Sequence, residues 1–170
     1  MTEKTEKVTI KLPNMELSIQ LLSFKQEANK EYILLDTGCI LYLLRRLPSL
    51  VHRFEKDAVK LAIIEHTIYE VAEHLSESFK AKIRKRAPPF GVYSGIENFR
   101  KLLRDDRVKK FTNPKMTKKA QLVYKRFGED MLLAYAFFEG GFRAIATQDT
   151  PLIEKISKKY LFPCQQLLKD

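Results

Sequence analysis

Two short apolar runs, each ending in an aspartate, constrain what this chain of 170 residues can fold into more than any other feature. The first is Tyr32-Ile33-Leu34-Leu35-Asp36, and the second is Arg143-Ala144-Ile145-Ala146-Thr147-Gln148-Asp149. Both are short and lack the apolar–polar alternation of a half-exposed strand, so they read as strands buried on both faces of a sheet. In open α/β sheets the functional crevice lies at the carboxyl ends of the strands. Asp36 and Asp149 therefore point into that crevice. Glu70 and Asp130 sit at or near the starts of apolar helical stretches that can reach the same place. Carboxylates crowded together repel one another unless a divalent cation neutralises them. The four acids thus suggest a metal-dependent site.

The pattern between these runs fits the same architecture. Val8, Ile10 and Leu12, a Pro13-Asn14 turn, then Leu17, Ile19 and Leu21 alternate as a β-hairpin over 7–24. Gln26 to Lys30 is a polar connector. Strand 32–36 is followed by a helix that stops near Pro48, a further helix over 49–58, and a strand at 59–64. Helical spacing begins at His66, with Thr67 as its N-cap. Pro88-Pro89-Phe90-Gly91 marks 87–95 as a loop. A helix around 95–105, a strand at 107–111 and a helix at 117–127 follow. Gly128 leads into the almost wholly apolar helix from Asp130, which Gly140-Gly141 ends. Strand 143–148, a helix that starts at Thr150-Pro151 and runs over 152–159, and a last short strand at 161–163 complete the chain. Alternating strands and helices predict an α/β fold, a three-layer α/β/α sandwich around a mostly parallel sheet. Residues 1–30 form a hairpin extension, and 31–170 form the main domain.

Charge narrows the partners. The net charge is +10, but residues 80–126 hold 16 Lys/Arg against 3 Asp/Glu, and the remainder holds 15 against 18. A basic surface beside an anionic pocket suits a polyanionic substrate handled through bound metal; a solvated lysine-rich face is the plainer alternative. The longest apolar stretch, 32–44, contains Asp36 and is too short to span a bilayer. The charged N-terminus lacks the apolar centre of a signal peptide, so the chain reads as cytoplasmic. Cys39 and Cys164 have neither zinc-ligand spacing nor the look of a disulfide framework, and Cys39 reads as a buried free thiol.

The motifs themselves carry a resemblance. Tyr-Ile-Leu-Leu-Asp-Thr-Gly over 32–38 resembles the opening strand of the PIN (PilT N-terminus) domain family. The run Ile64 to Val71, with its inward Glu70, is similar to that family's second motif. Gly128-Glu129-Asp130 resembles the third, and Ala146-Thr147-Gln148-Asp149 the fourth. The match covers about 32–165 in family order, and the hairpin lies outside it. The resemblance, to the VapC-like or archaeal-type PIN ribonucleases, implies a Mg²⁺- or Mn²⁺-dependent endoribonuclease acting on RNA. It implies Asp36 and Asp130 as primary metal ligands, and Glu70 as a ligand directly or through water. Asp149 would complete the site or orient the attacking water, and Thr37 and Thr147 would hold the carboxylates from behind. Lys80, Lys82, Arg84, Lys85, Arg86, Lys118 and Lys119 are the candidate contacts to the phosphate backbone. A toxin held by an antitoxin, a homodimer, and a silent RNA- or protein-binding scaffold are the alternatives that the family suggests.

Each acid also has a structural reading. Asp36, Asp130 and Asp149 could be helix caps or turn acids, and Glu73 competes with Glu70 for the inward position. His66, Glu70 and His74 recur every four residues and could bind zinc along one helix face. Phe90 and Tyr93, in the basic stretch, could stack on a base. A haloacid-dehalogenase-type phosphatase would need an acid where Gly38 stands, the acids do not fall in the order that a response-regulator receiver needs, and no phosphate-cradling Gly-x-x-x-x-Gly-Lys-Ser/Thr loop is present.

Overall fold

The structure is a computed structural model and describes residues 4–46 and 60–168. In chain order the elements are β1 (Thr5–Leu12), β2 (Met15–Leu22), β3 (Tyr32–Leu35), α1 (Thr37–Leu44), β4 (Lys60–Ile64), α2 (Glu65–Arg84), α3 (Phe90–Arg104) and β5 (Val108–Phe111). Then come α4 (Lys118–Tyr124), a 3-10 turn (Lys125–Asp130), α5 (Met131–Gly140), β6 (Ala144–Ala146), α6 (Thr150–Lys155) and β7 (Leu161–Phe162), with 3-10 turns at Lys158–Tyr160 and Cys164–Leu168.

Among the described residues one seven-stranded sheet has the order β1-β2-β5-β4-β3-β6-β7, antiparallel only between β1 and β2. Its central strands are apolar throughout because successive side chains serve opposite layers. Ile33 and Leu35, Leu61 and Ile63, and Ala144 and Ala146 join the core under α1, α2 and α3. Leu34, Ala62, Ile64 and Ile145 join the other core, under α5 and α6. This is the three-layer α/β/α sandwich that the sequence predicts. From β3 the chain proceeds to β4 and β5 on one side, and β6 lies on the other. The order therefore reverses beside β3, and that reversal opens a crevice at the carboxyl ends of β3 and β6.

The hairpin turns at Pro13-Asn14, with Asn14 at φ 64°. It belongs to the same sheet as the rest, because β2 pairs in parallel with β5 at Leu22 and Phe111. Its inward residues Ile10, Leu12, Leu17, Ile19 and Leu21 are core. At the far end of α5, Gly141 adopts φ 65°, and a Cβ on Gly140 would come within 2.5 Å of the Phe142 ring. The buried Asn29 fills the space beside them by donating to Gly140 O at 2.9 Å.

Several sequence expectations are corrected. Residues 90–95 are not loop: α3 begins at Phe90, with Pro89 at its N-cap. Proline breaks a helix from within but suits its start, where no partner for an N–H is needed, and burial of Ile96, Phe99, Leu102 and Leu103 secures the helix. Thr67 is not an N-cap. Strand β4 runs straight into α2 at Glu65, Thr67 is buried, and the His66 N–H donates to Asn113 Oδ1 at 2.7 Å. The helix expected at 117–127 stops at Tyr124 and gives way to the 3-10 turn, since Gly128 at φ 56°, ψ −124° breaks the α geometry. The helix expected over 152–159 ends at Lys155. Cys39 is not a free thiol: it forms a disulfide with Cys164, with 5.9 Å between the Cα atoms. The first turn of α1 and the last 3-10 turn pack on the same face, which brings two cysteines 125 residues apart within bonding range. The helix expected at 49–58 and the start of the strand at Val59 lie outside the described residues. Among the described residues no helix is long and apolar enough to cross a membrane.

Candidate functional site

The crevice at the carboxyl ends of β3 and β6 holds a recess of about 240 Å³. Asp36, Glu70, Asp130 and Asp149 all line it, together with Thr37, Gly38, Leu41, His66, His74, Glu129 and Leu133. Four acids drawn from distant parts of the chain therefore share one concavity. Glu73 instead faces a neighbouring hollow with Glu70, His74 and Glu77.

Asp36 follows β3 directly and is 5% exposed. Its Oδ1 accepts the Cys39 N–H at 2.8 Å, which makes it the N-cap of α1 as well as a wall of the recess. Its Oδ2 accepts from the Thr147 hydroxyl. Thr147 Oγ1 in turn accepts the Asp149 N–H at 3.0 Å, so one hydroxyl ties the ends of β3 and β6 together. Burial pushes the Asp36 carboxyl up to about 6; the bonds from Thr147 and Cys39 oppose this, and the negative charges of Asp149 and Glu70 add to it.

Asp130 and Asp149 stand at the N-cap positions of α5 and α6, yet among the described residues neither caps its helix with its side chain. Asp130 instead shares a side-chain hydrogen bond with Asp149. Burial first, then that bond, then the charges of Asp149, Asp36 and Glu70 push the Asp130 carboxyl up to about 7. Two carboxyls side by side cannot both ionise cheaply, which favours a proton on Asp130. Glu70, on α2, is held from two directions. Its Oε1 accepts from the Thr37 hydroxyl at 3.0 Å and lies 3.2 Å from His66 Nε2.

The donor set is dominated by carboxylate oxygens, which suit a hard divalent cation. Among the described residues, no three acid, histidine or cysteine side chains already form a ready coordination group. The acids share the recess without converging on one point.

The basic residues fall outside the recess. Lys80, Lys82 and Arg84 lie on the last turns of α2, Lys85 and Arg86 follow it, and Lys118 and Lys119 open α4; all are exposed. Lys82 reaches an adjoining cavity of about 380 Å³ that shares Leu41 and His74 with the acidic recess. Lys80 is 3.7 Å from Glu77. Phe90 is 77% exposed. Tyr93 has a structural occupation: its ring packs on Phe79 at 5.4 Å and its hydroxyl accepts from Asn14 Nδ2 at 3.1 Å, fixing the hairpin turn to α3. The aromatic residues of α5 are packing, with Phe137 and Phe138 stacked edge-on against Tyr160.

Sequence reasoning did not single out Glu129. It is chemically indistinguishable from the chain's other surface acids until the turn at Gly128 places it at the recess. No protein-family model matches this chain, no curated protein matches it, and no solved structure matches it.

Proposed function

We propose that the chain is a metal-dependent endoribonuclease of the PIN type, with Asp36, Glu70, Asp130 and Asp149 as its active site. The observation that carries this reading is electrostatic. Four acids from separate elements line one recess at the sheet's reversal point, where burial first, and then the neighbouring negative charges, raise Asp36 and Asp130. A recess of that kind has unmet affinity for a cation and none for an anionic phosphate by itself. Mg²⁺ or Mn²⁺ bound there would supply Lewis acidity toward a phosphate oxygen and an activated water.

Asp36 and Asp130 are the proposed metal-facing carboxylates, with Glu70 beside them. The Thr147 hydroxyl fixes Asp36 Oδ2, and the Thr37 hydroxyl fixes Glu70 Oε1, so neither carboxylate rotates freely. Asp149, which shares a hydrogen bond with Asp130, is the proposed group that orients the attacking water and accepts its proton. The exposed cations of α2 and α4 are the proposed holders of the RNA backbone. A toxin restrained by an antitoxin uses the same chemistry, and a silent scaffold would bind RNA through the same cations without cutting it.

The test is cleavage of an end-labelled RNA with Mn²⁺, with EDTA, and with Asp130→Asn protein whose thermal unfolding is normal. Cutting that needs Mn²⁺ and is lost in the variant supports the proposal. RNA binding with no cutting under any condition would favour the scaffold, and cutting that survives in Asp130→Asn would move the chemistry elsewhere.

A further inference from the structure

Two histidines, His66 and His74, bring nitrogens into the mainly carboxylate lining of the acidic recess, and His66 is the one beside a carboxylate. Its position is fixed by the way α2 begins. Strand β4 enters the helix without a loop, and the His66 backbone N–H is held by Asn113 Oδ1 at 2.7 Å. Residues four apart on a helix face the same way, so the imidazole lies beside Glu70. Nε2 is 3.2 Å from Glu70 Oε1. Two donors bound at right angles to one octahedral ion, each about 2.1 Å from it, would be separated by about 3.0 Å. The observed spacing is therefore that of neighbouring ligands, already oriented toward the same recess.

We propose that His66 is a nitrogen ligand in this centre, paired with Glu70, and that it makes the site prefer transition-metal ions over Mg²⁺. The proposal rests on the reading of the recess as a metal centre and deepens it by naming the ion class. Mg²⁺ binds oxygen donors and gives up water reluctantly, whereas the first-row transition ions, with Mn²⁺ the weakest of them, gain more from an imidazole nitrogen. An all-carboxylate site would have no comparable reason to discriminate. In the metal-free protein Nε2 and Glu70 Oε1 already stand side by side. A neutral His66 with its ring proton on Nδ1 would present the Nε2 lone pair to the ion. The Thr37 hydroxyl keeps its hold on Glu70 throughout. The side chain of His66 is 41% exposed, so its removal leaves no buried cavity. His74, two turns further along the same face, also lines the recess and serves as the internal control.

The experiment uses the full chain loaded with Mn²⁺ and reads ¹⁴N couplings to the ion by pulsed electron paramagnetic resonance. Wild type, His66→Ala and His74→Ala are compared, with melting in EDTA to verify folding. Competition between Mn²⁺ and Mg²⁺ gives their relative affinities. The proposal predicts histidine ¹⁴N coupling in wild type and His74→Ala, and none in His66→Ala. It also predicts that Mn²⁺ affinity falls at least about tenfold in His66→Ala, the lower end of what even an outer partner of a metal ligand is worth, while Mg²⁺ affinity changes less. Mn²⁺ bound without any ¹⁴N coupling would overturn the role of His66 and leave the carboxylate centre standing. Coupling that persists in His66→Ala and vanishes in His74→Ala would assign the nitrogen to the wrong histidine and overturn the proposal equally. Failure of Mn²⁺ to bind at all would overturn the metal centre itself, and this inference with it.

Discussion

Asp36→Asn should make the metal-free protein more stable at neutral pH. The Asp36 carboxyl, ordinarily near 3.8, is raised to about 6 by burial beneath the recess. At about 1.4 kcal/mol per pKa unit, holding it ionised in the folded state costs about 3 kcal/mol. The folded protein binds this proton more tightly than the unfolded chain does. The group therefore costs nothing below pH 3.8, its penalty grows as pH rises toward about 6, and the full penalty applies above that. Asparagine keeps an oxygen for the Cys39 N–H and so preserves the cap on α1. It replaces the acceptor for the Thr147 hydroxyl with an N–H, forfeiting a hydrogen bond worth about 1 kcal/mol. The net expectation at pH 7.5 in EDTA is a gain of about 2 kcal/mol, or about 4–8 °C in Tm for a chain of this size. At pH 4 the penalty is nearly absent and the variant should be level with wild type or slightly less stable. Thermal unfolding by circular dichroism at the two pH values measures this directly. If Asp36→Asn is destabilised by the same amount at pH 4 and pH 7.5, Asp36 is not a buried ionised acid and the electrostatic argument for the recess fails.

Three further outcomes follow from the same geometry. Thr147→Val removes the hydroxyl that binds Asp36 and receives the Asp149 N–H; it should cost about 1–3 kcal/mol in denaturant unfolding and raise the Asp36 pKa further, and an unchanged urea midpoint would refute the bridge. Reducing the Cys39–Cys164 disulfide reopens a 125-residue loop, so stability should fall by up to about 4–5 kcal/mol on the loop-entropy account. Two titratable thiols in the folded, unreduced protein would contradict this. Replacing Lys82 and Arg84 with Glu should weaken RNA binding across sequences at low salt and shallow the salt dependence by about 0.7 for each phosphate no longer neutralised; unchanged anisotropy titrations would remove these residues from the interface.

What the sequence reveals is what local chemistry dictates. The strands that lead into Asp36 and Asp149 are legible because burial on both faces demands unbroken apolar runs, and the hairpin is legible because one face of it does not. Those two acids are legible for the same reason, since the ends of such strands must emerge at the crevice. Long-range partners leave no local trace. Asn113 holds the first turn of α2 from 47 residues away, so a search for a nearby cap settles wrongly on Thr67. The hairpin joins the sheet through one parallel pairing, Leu22 with Phe111, whose register no periodicity announces. The Pro88-Pro89 pair reads as a break, although proline is equally at home where a helix begins, and only the packing of Ile96 and Phe99 decides between the two. Cys39 and Cys164 look unrelated until two short helical turns meet on one face of the sheet.

Anomalous diffraction from Mn²⁺-soaked crystals would show whether the acidic recess holds the proposed divalent metal. The expected result is an anomalous peak within the recess, at coordinating distance from Asp36 and Asp130, that is lost in Asp130→Asn crystals. A recess without a peak at Mn²⁺ concentrations that bind the protein in solution, or a peak only at some other surface, would contradict it.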